Sequence, residues 1–250
     1  MTLRILTLNL AHGRGTGFHQ LVTPKAQVQA NLDAVVRLID ESRAEVVALQ
    51  EADAASAWSG RFNHLEYLAE RTGLSHVAHG RHVEARGLVY GTGILSRAPI
   101  EASEGEAFRR NPHDTKGFLR ARIESPLGSV DVISLHLDFK RSRERRVQLG
   151  LLEAYLGRRP DPAEHLVIAG DFNTLASSKE LSAFAAARGL RCAPGSVQGT
   201  FPSGWPRRRI DYLFVSAGLS FLRHSVLPVR VSDHLPVWGE LIREGSPGPR

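Results

Sequence analysis

At 250 residues, with 42% apolar and 23% charged side chains, the chain is long enough to build one large hydrophobic core. It carries none of the bias of disordered or fibrous sequences. A lone cysteine, Cys192, excludes an intramolecular disulfide framework and a cysteine-rich zinc site, and favours a reducing, cytoplasmic compartment. The formal charge of +6 favours polyanionic partners, although 28 of the 32 basic residues are arginine, a skew that genomic composition alone can produce.

From the N-terminus, Leu3 to Leu10 alternates like a strand, without the long apolar region of a signal peptide; a leader removed earlier remains compatible with this. Val28, Leu32, Val35, Val36 and Ile39 then recur at helical spacing, predicting an amphipathic helix from Lys25 to Ser42. With the apolar run Val46 to Leu49 behind it, this makes a βαβ unit. Polar loops are expected at Gly60 to Phe62, Arg81 to Gly87 and Arg109 to Lys116. Short apolar runs at Gly93 to Leu95, Phe118 to Ile123 and Val130 to Leu137, separated by turn residues, suggest an antiparallel meander, so the sheet is expected to be mixed.

Further on, helices are predicted over Ser142 to Leu156 and Ser177 to Arg188, with strands at Leu166 to Ala169, Ile210 to Val215 and Pro236 to Leu241. No run reaches membrane-spanning length, and no linker or repeat divides the chain. The expectation is one domain over residues 1–243, acting as a monomer, with a frayed Gly- and Pro-containing tail over 244–250.

Polar residues able to bind metal or move protons recur where apolar strands end. Asn9 follows Leu6-Thr7-Leu8, Glu51 follows Val46 to Gln50, and His136 lies in Ile133 to Asp138. Asp171 and Asn173 follow Val167 to Gly170, Asp211 opens Ile210 to Phe214, and Asp233 and His234 precede Leu235-Pro236-Val237. Taken singly, each has an ordinary reading: a turn Asn, a hydrogen-bonded core His, an Asx turn or a helix cap. Together they are hard to dismiss, because buried charges and amides are costly without compensation, and ligand crevices form at neighbouring strand ends. Hard oxygen donors such as Glu51 and Asn9 suit Mg²⁺, Mn²⁺ or Ca²⁺, and a His beside a carboxylate, as Asp211 and His234 would be, suits proton transfer near neutral pH.

Thr7-Leu8-Asn9-Leu10, Leu49-Gln50-Glu51, Ser134-Leu135-His136-Leu137, Gly170-Asp171-Phe172-Asn173, Arg209-Ile210-Asp211-Tyr212 and Ser232-Asp233-His234-Leu235-Pro236 occur in an order that resembles the endonuclease/exonuclease/phosphatase superfamily, over Thr7 to Val237. The resemblance implies an α/β fold, a four-layer α-β-β-α sandwich with two packed mixed sheets. It also implies metal-dependent hydrolysis of phosphate esters. Glu51 with Asn9 would hold the principal cation, Mg²⁺ or Mn²⁺ with Ca²⁺ as another candidate, and Asp233 would assist it. Asp171 and Asn173 would orient phosphate and water or hold a second cation. His234, paired with Asp211, would act as general base or stabilise charge, and His136 would donate to the phosphoryl or leaving oxygen. The sequence departs from the family pattern at Thr92, where Asn is common. His136 is similar to the deoxyribonuclease, sphingomyelinase and phosphatase branches rather than the abasic-site repair branch, which has Tyr there.

The substrate stays open between two chemistries. Arg207, Arg208 and Arg209 beside Asp211, and Arg141, Arg143, Arg145 and Arg146 after His136, favour nucleic acid, although a basic helix face is commonly just solvated. Phe139, Phe201 and Trp205 are candidates for an apolar approach to a phospholipid or inositol-phosphate pocket, or else ordinary packing. A catalytically silent binding module would be expected to lose some of the polar set, all of which is present.

Overall fold

The computed structural model describes residues 1–108, 115–193 and 198–246. Residues 109–114 of the expected polar loop and residues 247–250 of the expected tail lie outside the described residues. Twelve strands are found among those described: β1 (Leu3–Asn9), β2 (Val46–Asp53), β3 (His76–Ala85), β4 (Leu88–Ser96), β5 (Ile100–Ala107), β6 (Gly117–Ser125), β7 (Gly128–His136), β8 (His165–Asp171), β9 (Arg191–Cys192), β10 (Asp211–Val215), β11 (Leu219–Val226) and β12 (Val237–Arg243). The helices are α1 (Lys25–Ser42), α2 (His64–Ala69), α3 (Ser142–Gly157) and α4 (Lys179–Ala187).

The strands form two six-stranded sheets, ordered β11-β12-β1-β2-β4-β3 and β5-β6-β7-β8-β10-β9. Each contains one parallel pair, β1 with β2 and β7 with β8, among antiparallel neighbours, so both sheets are mixed as expected. Each parallel pair is joined through a helix, α1 or α3, as a parallel connection requires.

Three apolar layers explain the four-layer sandwich. Ile5, Ala48, Val132, Val167, Ala169 and Leu213 belong to the core between the sheets. Val28, Leu32, Val35 and Ile39 of α1 cover one outer sheet face, and Leu149, Leu152 and Phe184 of α3 and α4 cover the other. The inward side chains follow the two-residue period of strands, and each row changes from apolar to polar at one end of the sandwich. Thus Leu3 and Ile5 give way to Thr7 and Asn9, Val130 and Val132 to Ser134 and His136, and Val167 and Ala169 to Asp171. Below the polar end, Gln50 donates to Ser134 Oγ (3.0 Å), whose hydroxyl donates to Leu49 O (2.9 Å), tying the two sheets together with satisfied buried groups.

Two expectations are corrected. The segment Arg81 to Gly87 is loop only at its tip; through Ala85 it continues β3, paired with β4. β3 is an edge strand whose side chains are partly exposed, so it lacks the apolar alternation that reveals buried strands. The run Gly93 to Leu95 also does not join a meander with the next two: β4 pairs with β2 and β3 in the first sheet, whereas β6 and β7 pair in the second. A chain can cross between layers at a turn without any change in its apolar pattern. No described helix is long and apolar enough to cross a membrane.

Candidate active site

The polar end of the sandwich opens into a cleft of about 260 Å³ lined by Asn9, Glu51, His136, Asp171, Asn173, Asp233 and His234, with Arg14, Lys116, Phe139, Phe201 and Arg208 around them. Backbone pairing brings three of the groups side by side: Asp171 is the register partner of both His136 and Asp211. Asp171 is also the meeting point of the two sheets. Its Oδ2 accepts from Asn9 Nδ2 (3.1 Å) and lies 3.5 Å from His136 Nε2 and 3.8 Å from His234 Nε2. Its Oδ1 accepts from the Asn173 amide (2.9 Å), while Asn173 Nδ2 donates to Leu137 O (3.0 Å).

Local backbone choices aim these side chains. Gly170 adopts φ +145°, and a Cβ there would sit 2.0 Å from Leu135 O, so only glycine admits the close strand approach that presents Asp171. Glu51 lies in a β-bulge, where the register slips between Leu49 and Ala52, and has φ +51°. The bulge re-aims its carboxylate out of the sheet ladder and into the cleft. Asp211 is fixed by its amide donating to Thr200 Oγ1 (3.2 Å), and its two carboxylate oxygens lie 2.9 and 3.1 Å from His234 Nδ1.

Charge is tightly balanced. Burial opposes the cationic form of His234, but the Asp211 and Asp171 carboxylates outweigh it and hold the imidazole well above its ordinary pKa. Burial, then the Asp211 charge, raises Asp171. Burial and then the Lys116 ammonium hold His136 well below its ordinary value, so it is neutral. Burial alone would raise Glu51; Lys116, His12 and His136 reverse this and keep it far below the usual carboxylate range.

Two acidic groupings offer a place for a divalent cation. Asp171, Asp211 and His234 have ligand atoms within 4.8 Å of one another. There, however, the imidazolium already compensates both carboxylates, and Nδ1 is committed to Asp211. Glu51, with Asn9 and Asp233 also lining the cleft, is the more suitable donor set: hard oxygens, with the nearest ammonium, Lys116 Nζ, at a loose 3.4 Å from Glu51 Oε1. Asp233 is paired to Arg14.

The cleft thus brings together Asn9, Glu51, His136, Asp171, Asn173, Asp233 and His234 from the sequence-derived set, with Asp211 behind His234; of the arginines singled out only Arg208 lines it. It also contains groups that sequence reasoning passed over. Lys116 Nζ lies 2.9 Å from His136 Nε2; it stands directly before the Phe118 strand, and the same strand-end rule would have found it. Arg14 and His12 follow Asn9 on the loop after β1, with no sequence signal tying them to Asp233 or Glu51. Thr92 does not line the cleft; its hydroxyl lies 2.9 Å from His82 Nε2. Of the aromatics, Phe201 packs against His234 with ring centroids 4.8 Å apart and planes tilted by 46°, whereas Trp205 and Phe139 are 68% and 59% exposed, so neither is core packing.

A two-sheet sandwich whose strand ends collect carboxylates, amides and histidines in one cleft defines the class of deoxyribonuclease I-like folds. The sequence profile of the Endonuclease/Exonuclease/phosphatase family matches residues 6–234, and the chain belongs to that family, whose members are phosphoester hydrolases that generally use a divalent metal. It is 29% identical to the protein YbhP of Escherichia coli (strain K12), with 96% of each chain covered. Among solved structures, it resembles an endonuclease/exonuclease/phosphatase from Beutenbergia cavernae at 22% identity and TM-score 0.75, covering 99% of this chain and 73% of that one. The mannosyl-6-phosphatase Bt3783 of Bacteroides thetaiotaomicron shares the fold at 16% identity and TM-score 0.71, covering 96% of this chain and 99% of that one.

Proposed function

We propose that residues 1–243 act as one monomeric catalytic unit that hydrolyses phosphodiesters, with nucleic acid as the preferred substrate. The observation that carries this reading is the convergence of Asn9, His136 and His234 on Asp171 Oδ2, with Asp211 behind His234. A cation, Mg²⁺ or Mn²⁺, held by Glu51 with Asn9 and Asp233 would offset the charge of the phosphate.

Water attacks phosphorus as the P–O bond to the leaving group breaks. Asp171, the carboxyl with raised proton affinity, takes the water proton, and Asn173 holds it in place. The His234 imidazolium, oriented by Asp211, stabilises the developing negative charge and returns a proton to the leaving oxygen. With its proton affinity raised by the Asp211 and Asp171 carboxylates, His234 serves as charge stabiliser and proton donor rather than as general base. His136, neutral and facing Lys116, acts with that ammonium on the phosphoryl oxygens. Outside the cleft, Arg207 lies over the exposed Trp205 ring (4.6 Å), and at the cleft's edge Lys140 lies over Phe139 (5.1 Å), cation and aromatic pairs suited to phosphate and base contact.

A second reading has its own support. Phe18, Leu21 and Val22, on the same loop as Arg14, are 97%, 69% and 74% exposed, an apolar cluster better suited to a lipid surface than to nucleic acid. Hydrolysis of plasmid DNA, single-stranded DNA, RNA, sphingomyelin and an inositol phosphate, with Mg²⁺, Mn²⁺ or EDTA, separates the two readings. Metal-dependent DNA or RNA cleavage that weakens steeply with salt and is lost in His234→Ala is expected. Turnover of the lipid or inositol substrate alone would overturn the nucleic-acid preference, and retained activity in His234→Ala would overturn the site.

A further inference from the structure

A second carboxylate–imidazole pair lies on the Glu51 side of the cleft. His12 Nδ1 is 3.1 Å from Asp53 Oδ1, and His12 Nε2 is 3.6 Å from Glu51 Oε2. Asp53 is fully buried and held from behind: Ser56 Oγ donates to its Oδ1 (2.9 Å) and Trp58 Nε1 to its Oδ2 (2.9 Å). The imidazole also packs edge-on against the Trp58 and Tyr90 rings, with centroids at 5.0 and 4.9 Å, and those two rings lie against each other at 5.5 Å. With Nδ1 held by the satisfied Asp53 carboxylate and the aromatic pair packed against the ring, Nε2 is turned toward Glu51.

The backbone is bent to achieve this. Ala11, His12 and Gly13 have φ of +48°, +55° and +72°, a left-handed run in which only glycine is at ease. Non-glycine residues persist in that region when their surroundings fix them, and such positions cluster at functional sites. Glu51, the group His12 faces, is itself left-handed. Its other oxygen, Oε1, faces Lys116 and His136, so the two carboxylate oxygens are held from opposite sides.

We infer that His12, fixed by Asp53, is a positioning residue that orients the Glu51 carboxylate for its divalent cation. The inference rests on Glu51 being the cation ligand, as proposed above. Outer groups that hold a ligating carboxylate tune metal affinity by about 10- to 100-fold. Asp53 would act one step further out, by keeping the imidazole in the tautomer and orientation that face Glu51.

The test is Mn²⁺ titration calorimetry on the full chain stripped with EDTA, together with melting of the metal-free protein. His12→Asn removes the imidazole while supplying a residue that tolerates positive φ; His12→Gln keeps an amide able to reach Glu51. The expected result is a 10- to 100-fold weaker Mn²⁺ affinity in His12→Asn, a smaller loss in Asp53→Asn and partial recovery in His12→Gln, with metal-free melting of His12→Asn close to wild type. Wild-type affinity in His12→Asn would overturn the inference. Should that variant not fold, wild-type affinity in Asp53→Asn would overturn it instead. Glu51→Gln separates the underlying reading: if wild type binds no Mn²⁺, or Glu51→Gln binds it normally, the ligand assignment fails and the inference falls with it.

Discussion

Replacing Asp211 by Asn tests the electrostatics of the cleft at its most constrained point. The substitution keeps shape and one hydrogen bond to His234 but removes the carboxylate that sits 2.9 and 3.1 Å from Nδ1. In the wild type, with burial opposing it, that charge leads the effects that push the imidazole up to about 10. With the charge gone and burial unchanged, the His234 pKa should fall toward its ordinary value, since only the Asp171 and Asp233 charges still oppose burial. At pH 7.5 the ring then changes from imidazolium to neutral imidazole. Asp171 feels two opposed changes in the same variant: losing the Asp211 charge lowers it, losing the His234 cation raises it, and the Asp211 effect, the larger of the two, sets the direction downward. Turnover should drop about 10³- to 10⁴-fold, the scale of losing the carboxylate partner of a catalytic imidazole. Loss of a charged hydrogen bond costs about 2 kcal/mol, which lowers Tm by roughly 4–8 °C for a chain of this size. The assay is ¹⁵N-histidine NMR across pH 5–10 on the metal-free protein, read beside kcat on whichever substrate is cleaved. A wild-type His234 that titrates near 6.5, or one whose titration is unmoved by Asp211→Asn, would refute this account of the charge balance.

Other consequences are as specific. Lys116→Met removes an ammonium 3.4 Å from Glu51 and 2.9 Å from His136; the variant should bind Mg²⁺ up to about tenfold tighter in calorimetry, by loss of local repulsion, yet turn over more slowly. Gly170→Ala places a methyl against Leu135 O at φ +145° and should cost more than about 3 kcal/mol, measured by urea melts or seen as insoluble protein. On the acid side, His136 is held well below 6.5, and His64 and His79 are lowered to about 4, all chiefly by burial. Unfolding lets each take up a proton, so stability should fall as pH drops from about 6.5 toward 4, by up to roughly 1.4 kcal/mol per pH unit per histidine. A Tm that stays flat between pH 6.5 and 5 would contradict their neutral burial. His234 contributes with the opposite sign: its folded pKa is raised, so its stabilisation is complete below 6.5 and lost as pH rises toward about 10.

By itself, the sequence determined the elements with one face or both faces buried. The spacing of Val28, Leu32, Val35 and Ile39 is enough to define α1 from Lys25 to Ser42, because an amphipathic stripe has no other stable use. It also determined the polar residues that end the inner rows, since an Asn, Asp or His in such a row must be compensated wherever the strand is placed. The edge strands β3, β5 and β11 escaped notice: β5 is largely exposed and β3 and β11 are only partly buried, and ladder hydrogen bonds on one side leave no apolar signature in the chain. Only the tertiary structure decided which sheet each strand joins, because β4 and β6 read alike and part company only through their backbone partners. The same holds for His12 and Asp53. Their chemistry depends on distances of about 3 Å between residues brought together by strand register and by a left-handed turn, and a linear pattern carries neither.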